Sequence, residues 1–598
     1  MMQWAGLSQT AFEAIPKQNM GMYHVDFARH FFASPEAEKA ERAALYASLK
    51  QLESLKGRVA ASADNLLNAM QLNGNIQVLL HRHHSYLYLR HAINTNDDAS
   101  INDDFKLNSE VNSGTAFLRQ EVIQLDDRSL ADFAAQKPAL KAYLFAIDGI
   151  RRHRPFVLSQ QEEEILDTTA PFNTMWQAEL YDKISANTPI IPPKSQGRDR
   201  REEAFKNDYA ATGAQRDIYA FILTHLASAR DKLATLHHFP DAPTEAYFES
   251  YWARAEVDNL LEQLAKQADL YKRYQLLRAD HVKKVFGFDT VNLWDINVNP
   301  PGMPPPRFTI DEASRIIREA LSPLGPDYGR ELAALLDPAN GRMDIVPGDH
   351  RKGGGGGFSL GFIGTDSVFF TQGFYGRYND VRALAHESTH AVQRQLMTDN
   401  NVLPDYAEGP HYLFEGFAIF SEFLLLDYLY THETDPSLKQ YYLEQFFDGK
   451  GMEMFRVAPE VAVEHAVYDG VRKGSVKGAD DLDSLTKKIY SRYSIWPERH
   501  DELKAEWIYI PLMYDDPFYD INYVYGSLLA LKMFELYKSD PKHFAPPYIA
   551  LMKNGFTAPP EELLKHYLNI DLQDPALLSG ATKILKDKVD LLEQSYKE

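Results

Sequence analysis

Along most of the chain the apolar positions recur at the three- and four-residue spacing of helices, with polar residues filling the faces between them. Segments 35–70, 202–236 and 244–285 are rich in Ala, Glu, Leu and Lys, the residues that lose least on entering a helix. The first half therefore reads as helix after helix. Prolines at 189–193 mark a loop. A second boundary falls at 299–307, where Pro300, Pro301, Pro304, Pro305 and Pro306 crowd together. A helix is predicted over 310–324, followed by the glycine run 353–357. Alternation over 358–370 predicts a short β-hairpin or sheet. Helices resume near Asn379 and continue to the C-terminus. The pattern predicts a mostly α protein with a small β element, divided into units at 1–195, 196–300 and 301–598.

One apolar stretch, 412–430, is long enough to suggest a membrane span, but it carries Glu415, Glu422 and Asp427. Three acids facing lipid would be very costly. A buried helix whose acids turn toward something positive is the better reading.

Composition narrows the choices. The chain has 598 residues, 44% of them hydrophobic and 12% aromatic, which excludes disordered, collagen-like and coiled-coil classes. Lys and Arg number 63 against 84 Asp and Glu, a net charge of −21. Such a surface repels phosphate backbones and anionic membranes, and no basic run offsets it, so neither nucleic acid nor membrane is expected as a partner. With no cysteine, disulfides, thiolate metal sites and cysteine nucleophiles are excluded. The first 16 residues lack a basic start followed by an apolar run, so no signal peptide is expected. A cytoplasmic location is favoured, with export after removal of a leader as the alternative.

The sharpest chemical signal is His386-Glu387-Ser388-Thr389-His390, an H-E-x-x-H. On a helix, residues four apart share a face about 6 Å apart along the axis, so both imidazoles can reach one metal ion. Glu387 is rotated off that face and can take a proton from an attacking water. Val381, Leu384, Ala385, Val392 and Leu396 supply the apolar stripe of such a helix. A catalytic zinc needs three protein ligands and an open position, and a carboxylate commonly completes a histidine pair. Glu415 follows His390 by 25 residues and sits in the apolar helix whose acids need a cation. Glu422, two turns further on the same face, can hold a ligand histidine from behind.

Four tyrosines cluster later: Tyr514, Tyr519, Tyr523 and Tyr525. Tyr519 and Tyr523 share a face if this run is helical, and a phenol aimed at a developing oxyanion suits peptide hydrolysis. With 33 tyrosines in the chain, core packing is the competing reading. The run from Lys352 through Gly357 is no phosphate loop, because its Lys precedes the glycines and Phe358 follows them. It reads either as a surface loop or as a mobile loop leading to an edge strand on which substrate backbone pairs. His81, His83, His84, His237, His238 and His465 show no ligand spacing. His411 shows none either; it lies four residues before Glu415, which offers a place near the cleft, but it reads as a loop histidine instead.

With these residues in place, the chain resembles the oligoendopeptidase F-type members of the M3 metallopeptidases, relatives of thimet oligopeptidase. The resemblance rests on the H-E-x-x-H, the step to Glu415, Glu422, and the approach from Lys352 through Phe358, Phe370 and Asn379 to Ala385. It continues more weakly through Asp295 to Pro301 and the region 200–205, covering about 195–530. It implies two helical lobes forming a bowl around a deep channel, with a small β-sheet next to the zinc helix and one zinc per chain on the floor. It also implies an endopeptidase acting on short unfolded oligopeptides. His386, His390 and Glu415 would be the metal ligands, Glu387 the general base, and Tyr523, with Tyr519 or Tyr525, the oxyanion donors. A zinc exopeptidase of the same fold and a catalytically weak peptide-binding relative stay open as alternatives. Two departures stand out. Thr389 replaces the glycine usual at the second x, and Pro517 stands where a histidine normally precedes the tyrosine pair.

Overall fold

The computed structural model describes residues 13–296, 298, 304–353 and 357–597. Pro300 and Pro301 of the predicted boundary, and glycines 354–356, lie outside these. The predicted helix over 35–70 is two helices, Pro35–Glu53 and the start of Ala63–Ile93. Ser34 and Ser62, both in extended conformation, cap them by accepting from the N–H groups of Ala37 and Asn65. Between them Gly57 turns the chain at φ +78°, a conformation that suits glycine. Asp98–Ile123 follows, capped by Asp97. The apolar stripes of these helices, including Leu45, Leu52, Leu66, Met70, Val111 and Val122, close a core of their own.

The middle of the chain departs from prediction in the same way. Segment 202–236 is Gly197–Gly213 and Arg216–Leu236. Segment 244–285 is Ala242–Glu249, Arg254–Gln267 and Asp269–Phe286, the last ended by Gly287 in the left-handed conformation. Composition records helix-forming tendency along such a stretch but not the short turns at which its apolar stripe changes direction.

The β element is a three-stranded sheet. β1 (Met343–Asp344) runs parallel to β3 (Val368–Thr371), and β2 (Gly357–Leu360) runs antiparallel to it. The order β1-β3-β2 leaves β2 on an edge, and every residue of β3 is buried. β1 went unpredicted because two residues carry no period. Its Asp344 is buried and held by Arg351 at 2.7 Å, and Arg351 also donates to the Thr371 carbonyl at 2.8 Å. Removing one partner of such a buried pair leaves the other charge uncompensated.

Three helices follow that matter most. The motif helix is Tyr378–Asp399, the Glu415 helix His411–His432, and the tyrosine helix Ile521–Ser539. Among the described residues, no helix is long and apolar enough to cross a membrane. The Glu415 helix is instead buried along most of its length in the main core. It meets the tyrosine helix at backbone distance. A Cβ on Gly416 would lie 2.9 Å from Leu529 Cδ2, and one on Gly526 would lie 3.0 Å from Glu415 Cβ. Overpacking of this kind costs about 1–3 kcal/mol. Gly526→Val is therefore expected to lower the melting temperature and to weaken metal binding together, because it pushes on Glu415 itself, with Gly526→Ala milder in both. Melting curves and metal titration check this; unchanged values would mean that the crossing has slack.

Candidate active site

The motif helix begins where Asp380 accepts from the N–H groups of Tyr375 and Arg377 at 2.8 and 2.9 Å, an N-terminal cap made by an acid in the first turn. With no Pro or Gly inside, the helix runs unbroken and brings His386 and His390 to one face. Their Nε2 atoms stand 3.2 Å apart with the rings nearly perpendicular. Glu415 reaches in from the neighbouring helix, its oxygens 3.5 Å from His386 Nε2 and 4.0 Å from His390 Nε2. One ligand atom from each of the three lies within 4.8 Å of the others. A tetrahedral ion with bonds of about 2.0–2.1 Å spaces its ligand atoms roughly 3.3 Å apart. Two imidazoles and a carboxylate at these separations fit such an ion.

The electrostatics agree with the geometry. Burial disfavours charge on His386, but Glu422 and Glu415 outweigh it and lift its pKa above the ordinary value. The carboxylates thus favour a positive charge at the centre of the site. Burial and the neighbouring His386 hold His390 well below its ordinary value, which keeps it neutral, as a ligand must be. His386 Nδ1 donates to Glu422 at 2.7 Å, which turns the Nε2 lone pair toward the other two ligands. Glu422 also accepts from Arg382 at 3.0 Å. Burial works to raise its carboxyl, yet Arg382 and His386 hold it at about 2. The three candidate side chains keep 11–16% exposure, so the group is open to solvent.

Glu387, next to His386 on the motif helix, packs against the start of β2. It is 9% exposed, and burial raises its pKa above the ordinary carboxylate value. A Cβ on Gly357, the first residue of β2, would lie 3.5 Å from Glu387 Cγ and 2.5 Å from the Phe370 carbonyl. Any side chain at Gly357 would collide with the Phe370 carbonyl of the paired strand, while its approach to the acid is an ordinary contact. Thr389 is fully hydrogen-bonded, donating to the Ala385 carbonyl and accepting from Tyr328, both at 2.9 Å. The departure from glycine at this position is therefore accommodated by a buried hydroxyl whose partners are Ala385 and Tyr328.

The tyrosines separate into two groups. Tyr519 and Tyr523 stack edge to face at 5.6 Å. Burial, with the charge of Glu415 next, pushes both hydroxyls well above the ordinary value. They stay protonated and can donate. Asn522 ties this segment to the Glu415 helix, donating to the Tyr519 carbonyl at 2.8 Å and accepting from Tyr412 N–H at 3.2 Å. Tyr525 instead stacks on Trp252 at 4.3 Å, and Tyr514 on Tyr181 at 4.1 Å, both inside the core. Pro517 is buried, and Phe518 after it takes φ +69° while donating its N–H to buried Glu464 at 2.8 Å. His411 is not in a loop; it is the exposed first residue of the Glu415 helix, its ring 5.2 Å from that of Tyr519.

Arg382, Asn522 and Tyr328 were missed from sequence. Arg382 alone left a signal, since it lies one turn before His386 and a buried Glu422 needs a cation. The other two act across helices far apart in the chain.

A sequence model of peptidase family M3 matches residues 193–581, and one of oligopeptidase F, the N-terminal part of that family, matches 121–188. The match thus extends further toward the N-terminus than the motifs alone carry it. The chain is 25% identical over 592 residues to oligopeptidase PepF of Bacillus subtilis, covering 94% of this chain and 86% of that protein. It is 21% identical to group B oligopeptidase PepB of Streptococcus agalactiae, covering 94% and 95%. The crystal structure of oligoendopeptidase-F from Enterococcus faecium superposes with a TM-score of 0.68 at 20% identity, covering 93% of this chain and 98% of that one. PZ peptidase A superposes with a TM-score of 0.70 at 16% identity, covering 92% and 97%. The fold is shared with these structures, and the family match spans well over half of the sequence: the chain is a peptidase that belongs to family M3.

Proposed function

We propose that this peptidase is a zinc-dependent endopeptidase of short, unfolded oligopeptides, with one zinc per chain held by His386, His390 and Glu415. The observation that carries the reading is the convergence of two neutral-capable imidazoles and a carboxylate beside a desolvated Glu387 and a protonated Tyr523. Zinc, when bound, supplies a Lewis acid that polarises the scissile carbonyl and acidifies the attacking water. Glu387 takes the proton of that water and passes it to the leaving amine, a role that suits a carboxyl whose pKa burial has raised toward neutrality. Tyr523, supported by Tyr519, donates to the oxygen that gains negative charge. Glu422 and Arg382 keep His386 in the required tautomer. The β2 strand, at the edge of the sheet among the described residues and beginning against Glu387, gives an extended peptide a backbone to pair with.

Digestion of a mixed peptide library, read by mass spectrometry, tests the reading. Internal cuts in peptides of roughly 5–20 residues, with folded proteins spared, are expected of a site reached only by an extended chain. Trimmed ends would make it an exopeptidase, and binding without turnover would make it a peptide-binding relative. The metal is tested separately. Purified protein is expected to hold one zinc, and His390→Ala to lose it, by elemental analysis. A variant that keeps its zinc in full would show that the ligand set is wrong.

A further inference from the structure

Most histidines in this fold are explained by what they touch. His225 and His432, inside helices, bond back to carbonyls four residues earlier, at 2.8 and 2.9 Å. His84 and His237 rest on Asp104 and Glu245. His411 is different. As the first residue of the Glu415 helix, it has no earlier turn whose carbonyl it could bond. Its ring nitrogens have no hydrogen-bond partner among the described residues, and the residue is exposed.

Its position is nevertheless determined. It lies one turn before Glu415, and side chains four apart on a helix project from one face, so the imidazole shares the face of the candidate metal ligand. Its ring meets that of Tyr519 at 5.2 Å with a 52° tilt, and Tyr519 meets Tyr523. An imidazole thus stands one turn before Glu415 and against the ring of Tyr519, and the buried Pro517 two residues before Tyr519 has no N–H to offer. Imidazole carries at least one N–H in either protonation state. We infer that His411 is a catalytic residue of this peptidase, donating a hydrogen bond to the substrate carbonyl oxygen under attack, beside Tyr519 and Tyr523. The inference rests on the endopeptidase reading above.

Three variants test it. His411→Phe keeps a ring against Tyr519 and removes the donor. His411→Gln keeps an N–H donor and removes the ring. His411→Ala removes both. Because the residue is exposed, all three are expected to fold with wild-type melting temperature and zinc content. A single donor to a developing oxyanion that has other donors should be worth about 10–100-fold in kcat, below the value for a principal donor. His411→Phe and His411→Ala should therefore lose about 10–100-fold in kcat with KM changed less than about threefold. His411→Gln should recover a clear part of that loss. Near-wild-type kcat in His411→Phe would overturn the proposal and leave the ring contact as packing. So would an effect confined to KM, zinc loss in His411→Phe, or a His411→Gln variant no better than His411→Phe. A Glu387→Gln control run alongside separates the two failures. If that control is inactive while His411→Phe is normal, only the role of His411 falls. If it is as active as wild type, the endopeptidase mechanism falls first.

Discussion

Glu387→Gln should lose about 10²–10⁴-fold in kcat, the usual loss for a missing general base, and change little else. The substitution keeps the shape of the side chain and touches none of the three candidate ligands, so zinc content should match wild type. Glu387 is 9% exposed and burial already disfavours its charge; the neutral amide removes that penalty, and melting temperature should hold or rise. KM should move little, because the carboxylate acts on the water rather than on the bound peptide. An internally quenched peptide substrate reads the rate, and elemental analysis reads the metal. A variant retaining a tenth or more of wild-type kcat with full zinc would mean that another group takes the proton.

Tyr523→Phe removes one hydroxyl and leaves the ring in its contact with Tyr519. If that hydroxyl donates to the oxyanion, kcat should fall about 10²–10³-fold with KM nearly unchanged. Burial and Glu415 keep the phenol protonated far above neutrality, so the loss should be the same across the working pH range. Tyr525→Phe is the natural control. Its ring is stacked on Trp252 within the core, and it should cleave at close to the wild-type rate. Loss in Tyr519→Phe but not in Tyr523→Phe would exchange the two roles. Near-normal rates in both would move oxyanion stabilisation elsewhere and reduce the pair to packing.

The two families of expectation differ in how far the sequence supported them. His386 and His390 were legible because their relation is local: the helix repeat alone brings positions four apart to one face. The acids of the Glu415 helix were legible for a different reason, since an apolar stretch that carries three carboxylates must find them positive partners; Glu422 is buried against Arg382 and Asp427 pairs with Lys538 at its surface. Helix starts were legible where a cap announces itself, as at Ser34, and were missed where compositionally uniform stretches such as 35–70 and 244–285 are broken by brief turns. Short β1 carried no period to read.

What the sequence by itself determined, then, is the candidate metal group His386, His390 and Glu415, which the structure brings together, and the helical character of the elements bearing it. Tertiary structure decided the rest. That Tyr523 turns toward Glu415 and Tyr525 into the core depends on how the tyrosine helix is rotated against its neighbour at the close crossing of Gly416 and Gly526, whereas Tyr519 precedes that helix. The same crossing sets Tyr519 beside His411, and packing of the motif helix on the Glu415 helix joins Arg382 to Glu422 and Glu422 to His386. These pairings link positions 36 to 108 residues apart, and no local period encodes them. They are fixed only when two helices bury their faces against each other.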